Sequence, residues 1–234
     1  MGECSKWSMR KTTNNLQYQL LKSIRGSIAS VFQIFTILVG EKIVFLEIEK
    51  LTTKIKMRKL TLFIATSLDG YIAKPNDDLG FLKIVQKEGE DYGYAEFTAN
   101  VDTIILGRKT YDWVLNEIGS SHYDNGDRNV YVITRTERPG VGKTTFYTGN
   151  LAELVQRLKN ESGKDIYCDG GAEIVNELLK SDLIDEFIIS VVPILVGDGI
   201  RLFKDGRPEQ LLELVNVKTF DTGLTQLHYK RKKK

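Results

Sequence analysis

The sequence predicts an α/β fold, a mostly parallel central sheet covered by helices on both faces. Two observations predict it. From Met57 onward, short apolar runs alternate with helix-like segments, the order that calls for parallel strands joined by crossover helices. Gly70, Gly107 and Gly170-Gly171 then stand just past the ends of such runs, on the carboxyl edge where sheets of this kind bind ligands.

The elements follow in order. Residues 60–66, "LTLFIAT", form a continuous apolar strand, and Asp69-Gly70 turns the chain after it. A hairpin would need a second alternating strand at once. Only the trio "YIA" follows before the loop signal "KPNDD", a layout that suits a lid over a ligand across 75–82. Residues 91–100 have helical spacing, with Tyr94, Ala95 and Phe97 able to pack. "TIIL" at 103–106 and "VYVIT" at 130–134 read as short buried strands, and Arg108 opens a helix after the first. Asn150 is placed to cap a helix over Leu151–Asn160, with Glu153 at its third position. A strand at 166–168 runs through Asp169-Gly170-Gly171 into a helix over Ala172–Lys180. The strand 185–192 is halted by Pro193, and 224–229 closes the sheet.

Composition bounds the function. The 234 residues, 41% of them hydrophobic, suffice for one good-sized core and a small appendage. Residues 1–56 hold nine Lys/Arg against four Asp/Glu, and residues 57–234 hold twenty-four against twenty-seven. The main body is thus mildly acidic, which gives no support to nucleic-acid binding; the tail "YKRKKK" reads as a solvated end. Cys4 and Cys168 have no metal spacing and form no framework, which fits a reduced, cytoplasmic compartment and no metal site. The run 28–39 is interrupted by Ser30, Gln33 and Thr36 and is short for a membrane span, so a signal anchor is the minority reading. Residues 1–56 lack the Gly/Pro punctuation of the remainder and read as a peripheral extension or the product of an early start codon. The two-sided apolar strand "FIISVVPILVG" permits homodimer pairing as well as burial.

Three strand ends carry the chemistry. "DGGAEI" is a strand feeding a helix through two glycines, which leaves the first helical N–H groups open to a phosphate. "LGRKT" sets Arg108, Lys109 and Thr110 at another helix start, where cations oppose the macrodipole unless an anion sits among them. "VITRT" repeats the theme with Thr134 and Arg135. Together they point to an extended ligand with several phosphates.

With "SLDGYIA", "DTIILGRKTY", "VYVITR", "DGGAEI" and "PILVGDG" in order and at the right spacing, residues 57–234 resemble the dihydrofolate-reductase-like superfamily. They are most similar to its branch containing the reductase domain of bacterial riboflavin biosynthesis, the RibD C-terminal domain, and its stand-alone relatives. The resemblance implies that fold, with an antiparallel C-terminal edge to the sheet. It also implies an NADPH-dependent reductase acting on a small pterin-like or pyrimidine-like heterocycle. By match, Ala65, Ile72 and Ala73 would approach the nicotinamide. Gly107, Arg108, Lys109, Thr110, Thr134 and Arg135 would hold the ribose phosphates, including the 2′-phosphate of NADPH, and Gly170, Gly171, Ala172 and Glu173 would cradle the pyrophosphate. Asp91, counted back from Gly107 without a gap, falls where the family places its buried substrate-facing carboxylate and is the expected catalytic residue. There are departures: no Trp-Pro pair precedes Asp91, and Ala95 stands where a large aromatic usually packs. The zinc-binding deaminase partner is also missing. These argue against folate and sustain a rival, a non-catalytic nucleotide-binding module of the same fold.

Overall fold

The computed structural model describes residues 57–119, 121–124 and 128–232; the expectations for 1–56 lie outside them. Ten strands and five α-helices follow the expected order. They are β1 (Leu60–Ser67), β2 (Tyr71–Ala73), α1 (Tyr94–Thr98), β3 (Val101–Gly107), α2 (Arg108–Glu117), α3 (Ser121–Asp124), β4 (Asn129–Ile133) and β5 (Thr144–Tyr147). Next come α4 (Leu151–Asn160), β6 (Asp165–Gly170), α5 (Ala172–Lys180), β7 (Glu186–Val192), β8 (Ile200–Arg201), β9 (Leu212–Thr219) and β10 (Thr225–Arg231). Eight strands form one sheet in the order β5-β4-β3-β6-β1-β7-β10-β9, and β2 pairs with β8 in a separate ribbon. Pairing is parallel from β5 to β7 and antiparallel where β10 meets β7 and β9. This is a dihydrofolate-reductase-like fold with the antiparallel C-terminal edge.

Strand alternation splits the core into two layers. Leu60 and Leu62 of β1 and Ile166 and Cys168 of β6 meet Leu154, Leu158, Val175 and Leu178 of α4 and α5. On the opposite face, Ile104, Leu106, Val132 and Tyr167 meet Tyr111 and Val114 of α2 and Tyr123 of α3. Among the described residues, no helix is long and apolar enough to cross a membrane.

Four features differ from expectation. The helix expected over 91–100 begins only at Tyr94, because Gly93 before it takes φ +80° and breaks the helical path. The segment 75–82 is only partly loose: it forms short 3₁₀ turns at Pro75–Asp77 and Gly80–Val85, and Phe81 is buried against Val192 and Leu224. β9 and β5 extend the sheet at its two edges, where the sequence signalled neither. Finally, β7 lies between β1 and β10 with both edges occupied, so its two-sided apolar pattern reflects burial and leaves it no edge for a dimer partner.

Candidate functional site

The expected rim residues converge. A Cβ built on Gly107 would stand 3.3 Å from Ile174 of α5 and 3.8 Å from Gly171 N. One built on Gly171 would stand 3.3 Å from Thr110 Oγ1 and 4.0 Å from Ile72 Cδ1. Gly107, Thr110, Gly171 and Ile72, spread over a hundred positions of sequence, thus share one cleft at the carboxyl ends of β3 and β6. Gly170, which has φ +88° and a cis bond to Gly171, lies under Ile64.

The helix starts differ in a telling way. Asn150 Oδ1 accepts from Ala152 N at 2.8 Å and Glu153 N at 3.1 Å, capping α4 as expected. At α2 and α5 the N-cap residues are Gly107 and Gly171, and no side chain caps either helix. Two sets of backbone donors with their dipoles therefore face the cleft and would suit phosphates.

Cations ring the cleft. Arg108 pairs with Asp112 at 2.5 Å, and Asp112 also meets Arg138 at 3.7 Å. Lys109 reaches Asp77 in the 75–82 segment at 3.4 Å, tying that segment to α2. Glu173 pairs with Lys204, whose charge, with that of Arg135 behind it, holds its carboxyl below the usual range. Thr134 is turned inward to its own loop, its Oγ accepting from Thr136 N at 3.2 Å. Ala65 is half-buried, Ala73 is buried, and Ala172 is buried at the start of α5.

Asp69 explains two of the quoted motifs together. Its carboxylate accepts from Ser67 Oγ at 2.5 Å, Val196 N at 3.0 Å and Gly197 N at 2.7 Å. These bonds, the Ser67 hydroxyl foremost, hold it down at about 2. Gly70 follows with φ +84°, a conformation other residues resist. "SLDG" is therefore latched onto "PILVGDG". Beyond it, a Cβ on Gly199 would strike Ala73 O at 2.1 Å, so only glycine lets the two segments pass.

On the other face of the sheet, Asp91 is not where the resemblance puts it. It is exposed, ahead of α1, and its two oxygens accept from Gly93 N and Ala95 N at 2.9 Å each. Those bonds, the one from Ala95 first, lower its pKa. The short α1 is the reason: with Gly93 breaking the helix, Asp91 orders a turn in place of pointing inward from a helical face.

A second carboxylate is the buried one. Asp169 sits at the end of β6, directly before Gly170, and accepts from Tyr167 OH at 2.5 Å and Tyr123 OH at 2.8 Å. Burial raises its pKa, with the two phenols and the nearby His122 opposing the shift. The same burial, with Asp169 beside it, pushes Tyr94 up to about 12. Phe63, Tyr94, Phe97 and Tyr167 form an aromatic floor, with Phe63 stacked on Phe97 at 4.9 Å between centroids. His122 is in α3, stacked on Tyr94 at 6.3 Å and edge-on to Tyr123 at 4.9 Å. A cavity of about 460 Å³ opens beneath α1 and shares Phe63 and Phe97 with this floor. Its remaining walls include Asp165 and Glu186, at the amino ends of β6 and β7, and His228 of β10, so it lies away from the glycine cleft.

The sequence reading missed Asp169. A signal was present in "CDGG": a charged residue inside a strand otherwise buried on both faces needs a partner or a function.

Comparison with known proteins agrees with the fold. The family model for the RibD C-terminal domain matches residues 58–226. The chain is 41% identical over 175 residues to the uncharacterized protein YwjB of Bacillus subtilis, covering 74% of this chain and 98% of that one. Among solved structures, a protein from Shewanella sp. PV-4 assigned to riboflavin biosynthesis superposes with a TM-score of 0.68 at 31% identity, covering 75% of this chain and 99% of its own. A diaminohydroxyphosphoribosylaminopyrimidine deaminase/5-amino-6-(5-phosphoribosylamino)uracil reductase from Thermotoga maritima superposes with a TM-score of 0.56 at 16% identity, covering 79% of this chain and 59% of its own. That last likeness is one of fold.

Proposed function

The chain belongs to the RibD C-terminal domain family, a reductase-like fold, and on that premise we propose that it is an NADPH-dependent reductase of a small pterin-like or pyrimidine-like heterocycle. One observation carries the reading: two uncapped helix starts and three close-packed glycines adjoin a buried carboxyl of raised pKa, Asp169, across a single peptide step. NADPH fits the cleft because side chains at Gly107 and Gly171 would fill it, and because Arg108, Lys109 and Arg135 supply charge for a 2′-phosphate.

NADPH supplies a hydride when bound. The chain's own residues do the rest. Backbone groups of Ala65 and Ala73 line the approach to the nicotinamide, with Ile72 packed beside Gly171. Phe63 and Tyr94 offer flat apolar surface for a planar heterocycle. Reduction of a C=N bond leaves the nitrogen needing a proton, and a carboxyl whose pKa is raised keeps its proton to higher pH than an ordinary one. Asp169 is such a group, and Asp91, stabilised as the anion by two backbone N–H groups, is not. The proton-delivering role therefore passes from Asp91 to Asp169, while Asp91 fixes the turn that aims Tyr92 and Tyr94. A reduced, cytoplasmic setting suits the buried thiol of Cys168.

The test is incubation of the full chain with NADPH and a panel of pterins and pyrimidines, followed at the nicotinamide absorbance band. Steady consumption with at least one compound supports the reductase. Tight NADPH binding with no consumption across the panel would favour the nucleotide-binding module, and no binding of NADPH would overturn both.

A further inference from the structure

The cavity beneath α1 follows from how unevenly this face of the sheet is covered. Tyr111, Val114 and Tyr123 of α2 and α3 pack over β3 and β4, and the five residues of α1 are the helix left for β1 and β7. Four neighbouring strands supply the floor in matched pairs. Thr61 of β1 lies opposite Glu186 of β7, and Phe63 lies opposite Ile188. Ile188 and Ser190 lie opposite His228 and Gln226 of β10, which in turn face Asn216 and Lys218 of β9. Val215, which bulges from β9, and Phe97 of α1 complete the walls of a space of about 460 Å³. Small-molecule sites have such volumes.

Three polar groups of this lining are left open. Thr61 is only 4% exposed, yet its hydroxyl has no hydrogen-bond partner among the described residues. Among those residues every side-chain nitrogen or oxygen sealed from solvent does have one, so the Thr61 oxygen opens into the cavity that it lines. A buried hydroxyl in that state is costly until something else meets it. Gln226 is also buried. It donates from Nε2 to Ser190 Oγ and Tyr92 O, both at 3.1 Å, and no described donor meets its Oε1. Of the three carboxylates in the walls, Glu96 pairs with Lys218 at 3.8 Å, and Glu186 with Lys59 at 2.5 Å and His228 at 3.1 Å. Asp165 accepts from Lys59 N at 3.0 Å through Oδ1 and has no ion-pair partner among the described residues. It stands two residues before Tyr167, the β6 partner of Thr61. The unpaired carboxylate and the unpartnered hydroxyl are thus diagonal neighbours on one face.

We propose that this cavity is a second ligand site, one that takes a small arylalkylammonium. The ammonium lies against Asp165 and Thr61, the ring runs along Phe63, Phe97 and Ile188, and the far edge points to Gln226. All three open groups can accept a hydrogen bond, and one of them is charged. An ammonium brings three donors and the charge that Asp165 lacks. Aromatic walls favour a ring and a cation alike. The site stands apart from the glycine cleft and does not depend on the reductase reading.

The test is titration of the full chain with phenethylamine, followed by two-dimensional amide NMR. Signals of Thr61, Phe63, Ile188 and Gln226 should shift and saturate, with a dissociation constant of about 1 mM or below. Phenethyl alcohol has the same shape without the charge and should bind about tenfold more weakly. Hydrocinnamate, the anionic counterpart, should not bind. Thr61→Val removes the hydroxyl at nearly constant shape and should weaken the amine about fivefold. Asp165→Asn keeps Oδ1 for Lys59 N and should weaken it about tenfold. The thermal midpoint of Thr61→Val should not fall, since no bond within the protein is lost. A fall would mean that the hydroxyl serves the fold, and it overturns the proposal. So does a wild type whose signals stay still at millimolar amine, or shift at Gly107 and Gly171 in place of the cavity. Equal binding of hydrocinnamate overturns the choice of a cation, and variants that bind as the wild type does overturn the site.

Discussion

On the glycine side of the cleft, the chain has removed side chains: Gly107, Gly170 and Gly171 leave backbone donors open, and the charges beside it, Arg108, Lys109 and Arg135, stand near the surface. In the chamber on the opposite face it has added them. Phe63, Tyr94, Phe97 and Tyr167 pack together beside one carboxylate, Asp169, whose pKa burial raises while the Tyr123 and Tyr167 hydroxyls oppose the shift. Both regions hang on the same six residues of β6, whose alternation sends Cys168 and Gly170 toward α5 and Tyr167 and Asp169 toward the aromatic floor. The contrast teaches a division of labour. Affinity for a polyanion needs open donors and surface cations, whereas keeping a carboxyl's proton above the ordinary range needs a dry pocket with few, fixed partners.

The largest expected effect breaks the chamber. Asp169→Asn keeps the side chain's shape and removes its transferable proton, so turnover should fall by roughly 10²–10⁴, while NADPH affinity is unchanged. Stability gives a second readout. Folding raises this carboxyl above its ordinary value of 3.8, so the wild type's stability is fully present below that value and declines as pH rises through the folded value. Asparagine cannot ionise. The variant should therefore gain on the wild type in urea midpoint as pH rises above 3.8, and match it in more acid solution. A variant that loses turnover and is also less stable at neutral pH would mean that Asp169 serves the fold, as the anchor of Tyr123 and Tyr167.

The next effect breaks the rim. Arg108→Ala/Arg135→Ala removes two cations, and NADPH affinity should drop about a hundredfold. NADH, lacking the 2′-phosphate, should lose far less. Fluorescence titration with both cofactors checks this, and equal losses would remove the 2′-phosphate from the assignment. Gly171→Ala is gentler. Its φ of −73° suits any residue, so the fold should keep its stability. The new Cβ would nevertheless crowd Thr110 Oγ1 at 3.3 Å, where a phosphate would lie, and should cost NADPH about tenfold, the worth of one hydrogen bond.

These two regions were not equally readable in the sequence. The rim was, because each of its parts is local: a strand end with a glycine or a cation within four positions, three times over. Asn150 and the exact span of α4 were legible for the same reason. The chamber depends on residues far apart, with Tyr123 separated from Asp169 by 46 positions and Phe63 from Tyr167 by 104. No local period announces such a cluster, and the glycines beside Asp169 drew attention away from it. The opposite error occurred at 91–100, where apolar spacing suggested a long helix and Gly93 vetoed half of it. β9 was missed because its bulge breaks the simple alternation by which a strand is recognised.

The smallest expected effect sharpens the comparison by testing the carboxylate that the structure places outside the chamber. Asp91 accepts two backbone N–H bonds that hold it below its ordinary value of 3.8. Its contribution to stability is therefore present above that value and lost as pH falls below it. Asp91→Asn still offers one oxygen to the turn, so Tyr92 and Tyr94 should remain in place. Turnover should fall less than tenfold, a smaller loss than removal of a general acid causes, and the pH dependence of kcat should keep both limbs. The variant should also lose less stability than the wild type on acidification, since it has no proton to take up at this site. Steady-state kinetics across pH on Asp91→Asn and Asp169→Asn, prepared side by side on whichever compound the panel yields, decides between the two carboxylates. If Asp91→Asn costs two or more orders of magnitude and erases a limb, while Asp169→Asn turns over normally, the turn at Asp91 must swing inward when substrate binds, and the proton is delivered from there.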